Sequence, residues 1–240
     1  GGSRMSIQQP VLELKNVDIG YNDALVNNVI ARVLPGEIIA VLGPSGIGKT
    51  TLIRTIAGLV EPLKGEVTLH TKKKGGLGYI PQRLGLVRHA SVRHNVNLGA
   101  KAGVPFSRTM FEERKTRVEE AAKALGIEDK LKEPVRRLSG GQLRRVATAR
   151  ALAQRPQILL ADEFLSELDH QNVEVVIKAV QTLLEDGTSI IMVEHHEENV
   201  RLFATRIWLI KDNHLHDYSL EEWMDIDESS WREQYMEEEE

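Results

Sequence analysis

The sequence contains no cysteine, which excludes disulfides and thiolate-held metals as sources of stability or chemistry. No apolar run approaches the roughly 18–20 residues that a membrane-spanning helix needs. No basic stretch followed by an apolar one opens the chain, so no secretory signal is read there. Charge of one sign is not in excess either. The formal net charge of −4 gives no drive toward nucleic acid or anionic lipid, and no nucleic-acid partner is expected. Internal repeats, low-complexity linkers and heptads are also missing. What is there is 41% hydrophobic and 28% charged residues, ordinary for a chain that builds its core without staples. Gly1-Gly2-Ser3-Arg4 ahead of Met5 reads as a cloning remnant, and Glu237–Glu240 as a solvated end.

Apolar patterning marks the strands. Val11–Leu14 alternates, and Val29–Leu34 stops at the turn residues Pro35-Gly36. Ile38–Leu42, Ile158–Ala161 and Ser189–Val193 are continuous, which suits strands covered on both faces, as in a parallel sheet between helices. Val67–Leu69 and Leu77–Ile80 read as short strands flanking a solvated Lys72-Lys73-Lys74 hairpin or loop, and Arg206–Ile210 with His214–His216 as a hairpin. Helices are expected over Thr50–Ala57, through most of residues 91–154, and over Val173–Leu184. Strands alternating with helices predict an α/β fold with a mostly parallel core sheet. The helical stretch without a matching strand is read as an inserted subdomain of about residues 91–154, the core taking about 11–90 and 155–218 and a short tail 219–240.

Gly43-Pro44-Ser45-Gly46-Ile47-Gly48-Lys49-Thr50 fits G-x-x-x-x-G-K-[ST] between an expected buried strand and an expected helix, with Thr51 continuing into that helix. Glycines let several backbone N–H groups converge on one anion, and the helix adds its positive end. Lys49 is then placed for the β- and γ-phosphates of a nucleotide, and the Thr50 hydroxyl for Mg²⁺. Asp162-Glu163 follows the Ile158–Ala161 strand, and ligands collect at such carboxyl ends. Asp162 is expected to hold Mg²⁺ through water, and Glu163 to polarise an attacking water as general base. Ser139-Gly140-Gly141-Gln142 opens another helix, with Ser139 as N-cap and bare glycine N–H groups behind it, a second site for an anion. One nucleotide's phosphates are already cradled by the first loop, so the second site makes sense for a nucleotide held by a partner.

In order along the chain, Gly43–Thr51, Gln82, Leu138–Gln142, Ile158–Glu163, Ser166–Asp169 and His195 resemble the ATPases of ABC transporters, over about Val11 to Tyr218. The resemblance implies a P-loop NTPase fold with an antiparallel β subdomain and an inserted helical subdomain. It implies ATP and Mg²⁺ as cofactors, and a homodimer or paired cassette closing head to tail around them. Tyr21 would stack on adenine, Gln82 would contact Mg²⁺ and the attacking water, the Ser166–Asp169 loop would cross the dimer, and His195 would contact the γ-phosphate. Transmembrane permease subunits would be partners, with a substrate-binding protein as a further one, and the chain would lie in the cytoplasm on the inner membrane face. Import is preferred over export or lipid extrusion. Soluble relatives that act on ribosomes usually carry paired cassettes, chromosome ATPases insert coiled coils, and Glu163 and His195 argue against a non-hydrolysing module. Phe164 stands where the family usually has proline, Glu194 where it has a small hydroxyl, and His196 where it has an acid, which makes His196 a rival to His195. A carboxylate facing a γ-phosphate would be unfavourable, so Glu194 is expected to turn away. The stretch from Gly48 to Gln82 is short for the family, which suggests a trimmed edge hairpin. Arg83, Arg88, His89, Arg93 and His94 with Leu84, Leu86 and Val87 are expected to form a groove for a cytoplasmic helix of the membrane subunit.

Overall fold

The computed structural model describes residues 8–165 and 168–226. The N-terminal remnant, the acidic end, Ser166 and Glu167 lie outside the described residues. β1 (Leu12–Gly20) and β2 (Ala24–Val33) pair antiparallel around Asn22-Asp23. β1 runs well beyond Leu14, because bulges absorb the polar Lys15-Asn16 and Asp18 that interrupt its alternation, and Asn16 takes a φ of 51°. β3 (Ile38–Leu42) is buried at every residue and leads through the glycine-rich loop into α1 (Lys49–Ile56). β4 (Lys64–Leu69) returns to β1 and completes a three-stranded antiparallel sheet, while β5 (Leu77–Ile80) joins a different sheet. The Lys72–Lys74 segment is therefore an exposed link between sheets, and the edge hairpin expected here is one added strand.

Three helices follow, α2 (Val92–Gly103), α3 (Met110–Ala124) and α4 (Gly140–Gln154). Glycine sets the approach of α2 to α4. A Cβ on Gly99 would stand 1.8 Å from the Arg150 carbonyl, and one on Gly103 1.9 Å from that of Gln154. Gln154 ties this helical unit to the sheet region by donating to the carbonyls of Gly75 and Leu77, at 3.1 and 2.7 Å.

The chain then alternates through β6 (Ile158–Asp162), α5 (His170–Glu185), β7 (Ser189–Val193), α6 (Glu197–Phe203), β8 (Arg206–Lys211), β9 (His214–Ser219) and α7 (Leu220–Asp225). The larger sheet has the order β5-β6-β7-β3-β8-β9, parallel except for β9. Alternation along β3 explains why its run is continuous. Ile39 and Val41 face a core shared with β1, β2 and α1, whereas Ala40 and Leu42 face Val200, Ile207 and Trp223. The first part of the short tail read over 219–240 is ordered on the larger sheet. Ser219 and Glu222 form a capping box on α7, at 3.1 and 2.7 Å, and Trp223 is fully buried.

Candidate nucleotide site

β6, β7 and β3 are parallel neighbours, so their carboxyl ends open on one edge of the sheet. The glycine loop follows β3, Asp162-Glu163 ends β6, His195 follows β7, and Gln82 lies just past β5. Gly43, Gly46 and Gly48 have φ of 148°, 78° and 118°, a region that favours glycine. Gly43 is also required by packing, since a Cβ there would meet the Ile210 carbonyl at 2.7 Å. Lys49 is buried, and its ammonium donates to the carbonyls of Gly43 and, at 3.0 Å, Pro44. The Ile47 amide donates to the Pro44 carbonyl at 3.3 Å, which closes the turn, and the Ile47 side chain packs on the inter-sheet core. Ser45, Lys49, Thr50, Thr51, Glu163 and His195 all line one cleft of about 150 Å³.

The Thr50 hydroxyl donates to Asp162 Oδ1 at 3.3 Å. Asp162 is almost fully buried, and burial pushes its carboxyl above the usual range, with the Thr50 hydrogen bond opposing. Glu163 bridges two side chains. Its Oε2 accepts from Gln82 Nε2 at 2.9 Å, and its Oε1 lies 2.8 Å from His195 Nε2. Glu194 is buried and accepts from the amides of His195 and His196, at 2.9 and 3.1 Å. Its carboxylate therefore turns back on its own backbone and, like His196, is absent from the cleft wall. Among the described residues no cluster of three or more His, Cys, Asp or Glu could hold a metal. One buried carboxylate beside a threonine hydroxyl suits instead a cation that takes its remaining ligands from water and phosphate, as Mg²⁺ does.

Tyr21 is 57% exposed, and its hydroxyl accepts from Arg54 of α1 at 3.3 Å. Ser139 caps α4 as expected: its hydroxyl accepts from the Gln142 amide at 3.3 Å, and the Gln142 side chain accepts from the Ser139 amide at 3.0 Å. None of Ser139, Gly140, Gly141 and Gln142 lines the cleft. A Cβ on Gly140 would meet nothing within 4 Å, one on Gly141 would meet Asn172 and Leu168 only at 3.7 Å, and neither has positive φ, so nothing among the described residues demands glycine there. Asp169 caps α5, accepting from the Asn172 amide and side chain at 2.8 and 2.7 Å, and the amide bond above all holds its carboxyl below the usual range.

A groove of about 370 Å³ opens beside Gln82. Arg83, Leu84, Leu86 and Arg88 form one wall as expected, but Val87, His89, Arg93 and His94 lie outside it. Val135, Arg136, Leu143 and Arg144 form the other wall, which sequence proximity to Gln82 could not reveal. The buried Asn95 shapes this rim, with its Oδ1 accepting from the Val87 amide at 2.7 Å and its Nδ2 donating to the carbonyls of Val87 and Ser91, at 3.1 and 3.0 Å.

A glycine cradle after a buried strand, with a carboxylate pair at the end of a parallel strand one further across the sheet, beyond β7, defines an α/β P-loop nucleotide-binding protein. Residues 26–166 match the family model described as ABC transporter, and the chain belongs to that family. It is 35% identical over 219 residues to the spermidine/putrescine import ATP-binding protein PotA of Legionella pneumophila (strain Paris), covering 86% of this chain and 58% of that protein. It is 36% identical to the Fe(3+) ions import ATP-binding protein FbpC 2 of Haemophilus influenzae, covering 85% of this chain and 60% of that one. The chain thus spans less than two thirds of the length of these curated relatives. Among solved structures it matches a dimeric post-hydrolysis state of the ATP-binding cassette MJ0796 bound to ADP and Pi, with TM-score 0.75, 31% identity and coverage of 87% of this chain and 98% of that one. CbiO1 from Clostridium perfringens, part of the ABC transporter complex cbiONQ, matches with TM-score 0.76 and 25% identity, covering 90% and 91% of the two chains. No helix among the described residues is long and apolar enough to cross a membrane.

Proposed function

We propose that this chain binds and hydrolyses ATP to power import through a membrane permease, working as one half of a pair of cassettes. The observation that carries the reading is the single cleft in which the glycine loop, Lys49, Thr50, Glu163 and His195 meet, with Asp162 beneath Thr50. The loop amides and Lys49 receive the phosphates, with Lys49 exchanging loop carbonyls for phosphate oxygens. Thr50 and Asp162, with Gln82 nearby, would hold Mg²⁺, which when bound neutralises charge on the phosphates. Glu163 accepts a proton from the attacking water, and Gln82 and His195 fix the direction of its carboxylate. Catalysis in this scheme is positioning plus electrostatic stabilisation, as phosphoryl transfer requires. The exposed Tyr21 ring, held on the α1 side by Arg54, stacks on the base.

The Ser139–Gln142 turn acts on a nucleotide bound to the partner cassette. Neither glycine has a positive φ or a neighbour among the described residues with which a Cβ would clash, and a dimeric relative is among the solved structures the chain matches. Asp169, which caps α5, would lie at that same junction. The groove beside Gln82 receives a cytosolic helix of the permease, so the chain sits at the cytoplasmic membrane face. The import direction rests on PotA and FbpC 2, whose names describe import ATP-binding proteins, and a substrate-binding protein would then feed the permease. The test is Mg²⁺-dependent ATP hydrolysis by the chain, with and without Lys49→Ala. Hydrolysis is expected in the parent and loss of ATP affinity in the variant. Equal ATP affinity of the two would refute the phosphate-loop assignment, and a parent that never hydrolyses ATP, alone or with permease, would refute the function.

A further inference from the structure

α4 carries adjacent arginines with different attachments. Arg145 Nε donates to Asn172 Oδ1 at 2.8 Å and its Nη1 to the Leu125 carbonyl at 3.1 Å, ties that hold α4 to its helical neighbours. Arg144 turns the other way. Its side chain is buried, at 6% residue exposure, and its Nη1 donates to the backbone carbonyl of Glu163 at 3.0 Å. That carbonyl belongs to a non-glycine residue with φ of 53°, a left-handed conformation unfavourable for glutamate. A buried guanidinium, near the positive end of a helix that begins at Gly140, is itself unfavourable. The hydrogen bond from Arg144 joins these two features, at the backbone from which the Glu163 carboxylate reaches Gln82 and His195. Arg144 also shares the groove wall with Gln82.

We infer that Arg144 is a positioning residue for the hydrolytic step, the connection through which α4 sets the orientation of Glu163 in its own chain. Anything that moves α4, whether a phosphate at its Ser139 end or a helix pressed into the groove, is transmitted to Glu163 through this bond. The inference rests on the reading of Glu163 as general base. It adds that each copy senses its partner's nucleotide by the α4 helix whose cap that nucleotide touches.

The experiment compares steady-state ATP hydrolysis and fluorescent-ATP binding in the parent chain, Arg144→Met, Arg144→Lys, Glu163→Gln and the Arg144→Met/Glu163→Gln double variant. A lost hydrogen bond from a charged group predicts that Arg144→Met lowers kcat about 10–100-fold, with KM and ATP affinity within about twofold of parent. Arg144→Lys, which keeps a single donor, falls between the two. In the Glu163→Gln background Arg144→Met adds no further loss. A merely structural role would instead move affinity and melting temperature together with the rate. An Arg144→Met variant with parent kcat, or one whose loss lies wholly in KM, overturns the inference while Glu163→Gln remains inactive. If Arg144→Met does not fold, Arg144→Lys decides, and parent-like kcat in it overturns the inference. Parent-rate hydrolysis by Glu163→Gln would instead overturn the general-base reading itself.

Discussion

Replacing Asn95 tests whether the groove rim is held by hydrogen bonds or by packing. Asn95 is fully buried and makes three side-chain bonds to the Val87 and Ser91 backbone. Asn95→Ala removes all of them, but unequally. The Val87 carbonyl keeps the Ala90 amide at 3.1 Å, and the Ser91 carbonyl keeps the Asn95 amide at 3.1 Å. The Val87 N–H alone loses its partner, at a hydrogen bond that is only partly buried. An orphaned donor costs about 1–3 kcal/mol when dry, so the lower half of that range applies here. The two other lost bonds and the small cavity bring the expected total to about 2–4 kcal/mol. For a chain of this size that corresponds to a fall in Tm on the order of 10 °C. Asn95→Asp separates polarity from volume, because it keeps the shape but turns acceptor oxygens toward two carbonyls. It is expected to be at least as unstable as Asn95→Ala near neutral pH. Urea unfolding of both variants at constant m reads the result. A loss below about 0.5 kcal/mol for Asn95→Ala, or an Asn95→Asp variant as stable as parent, would refute the reasoning.

Two further expectations concern the chemistry and the fold. Glu163→Gln keeps the shape that bridges Gln82 and His195 but loses basicity, so hydrolysis falls about 10²–10⁴-fold while ATP binding and an ATP-held dimer persist; single-turnover assays and size-exclusion with ATP check both. Trp223→Ala empties a fully buried site under β3 and β8 and should lose about 3–5 kcal/mol in a urea melt, whereas a loose tail would lose nothing measurable.

Much of the fold is legible because a buried parallel strand writes itself as an unbroken apolar run. β3, β5 and β7 begin and end where the residue pattern says. β1 is cut short in such a reading, since bulges let Lys15 and Asn16 stay within a strand whose alternation they break. α7 announces itself by Ser219 and Glu222 three apart, a signal obscured by the acidic residues around it. The loop, the acid pair and the serine-led helix are local motifs, and each stands where the residues say. Arg144 and the second groove wall are contacts between segments distant in sequence, and no local pattern encodes them.

The left-handed backbone at Glu163 narrows what natural variation can do at that position. Residues branched at Cβ are poorly tolerated at such dihedrals, whereas glycine, asparagine and aspartate enter them readily. A descendant that drifted into a silent partner, still gripping nucleotide but no longer splitting it, would thus avoid valine, isoleucine and threonine there, and a deep mutational scan scored on folding alone should show the same three depleted.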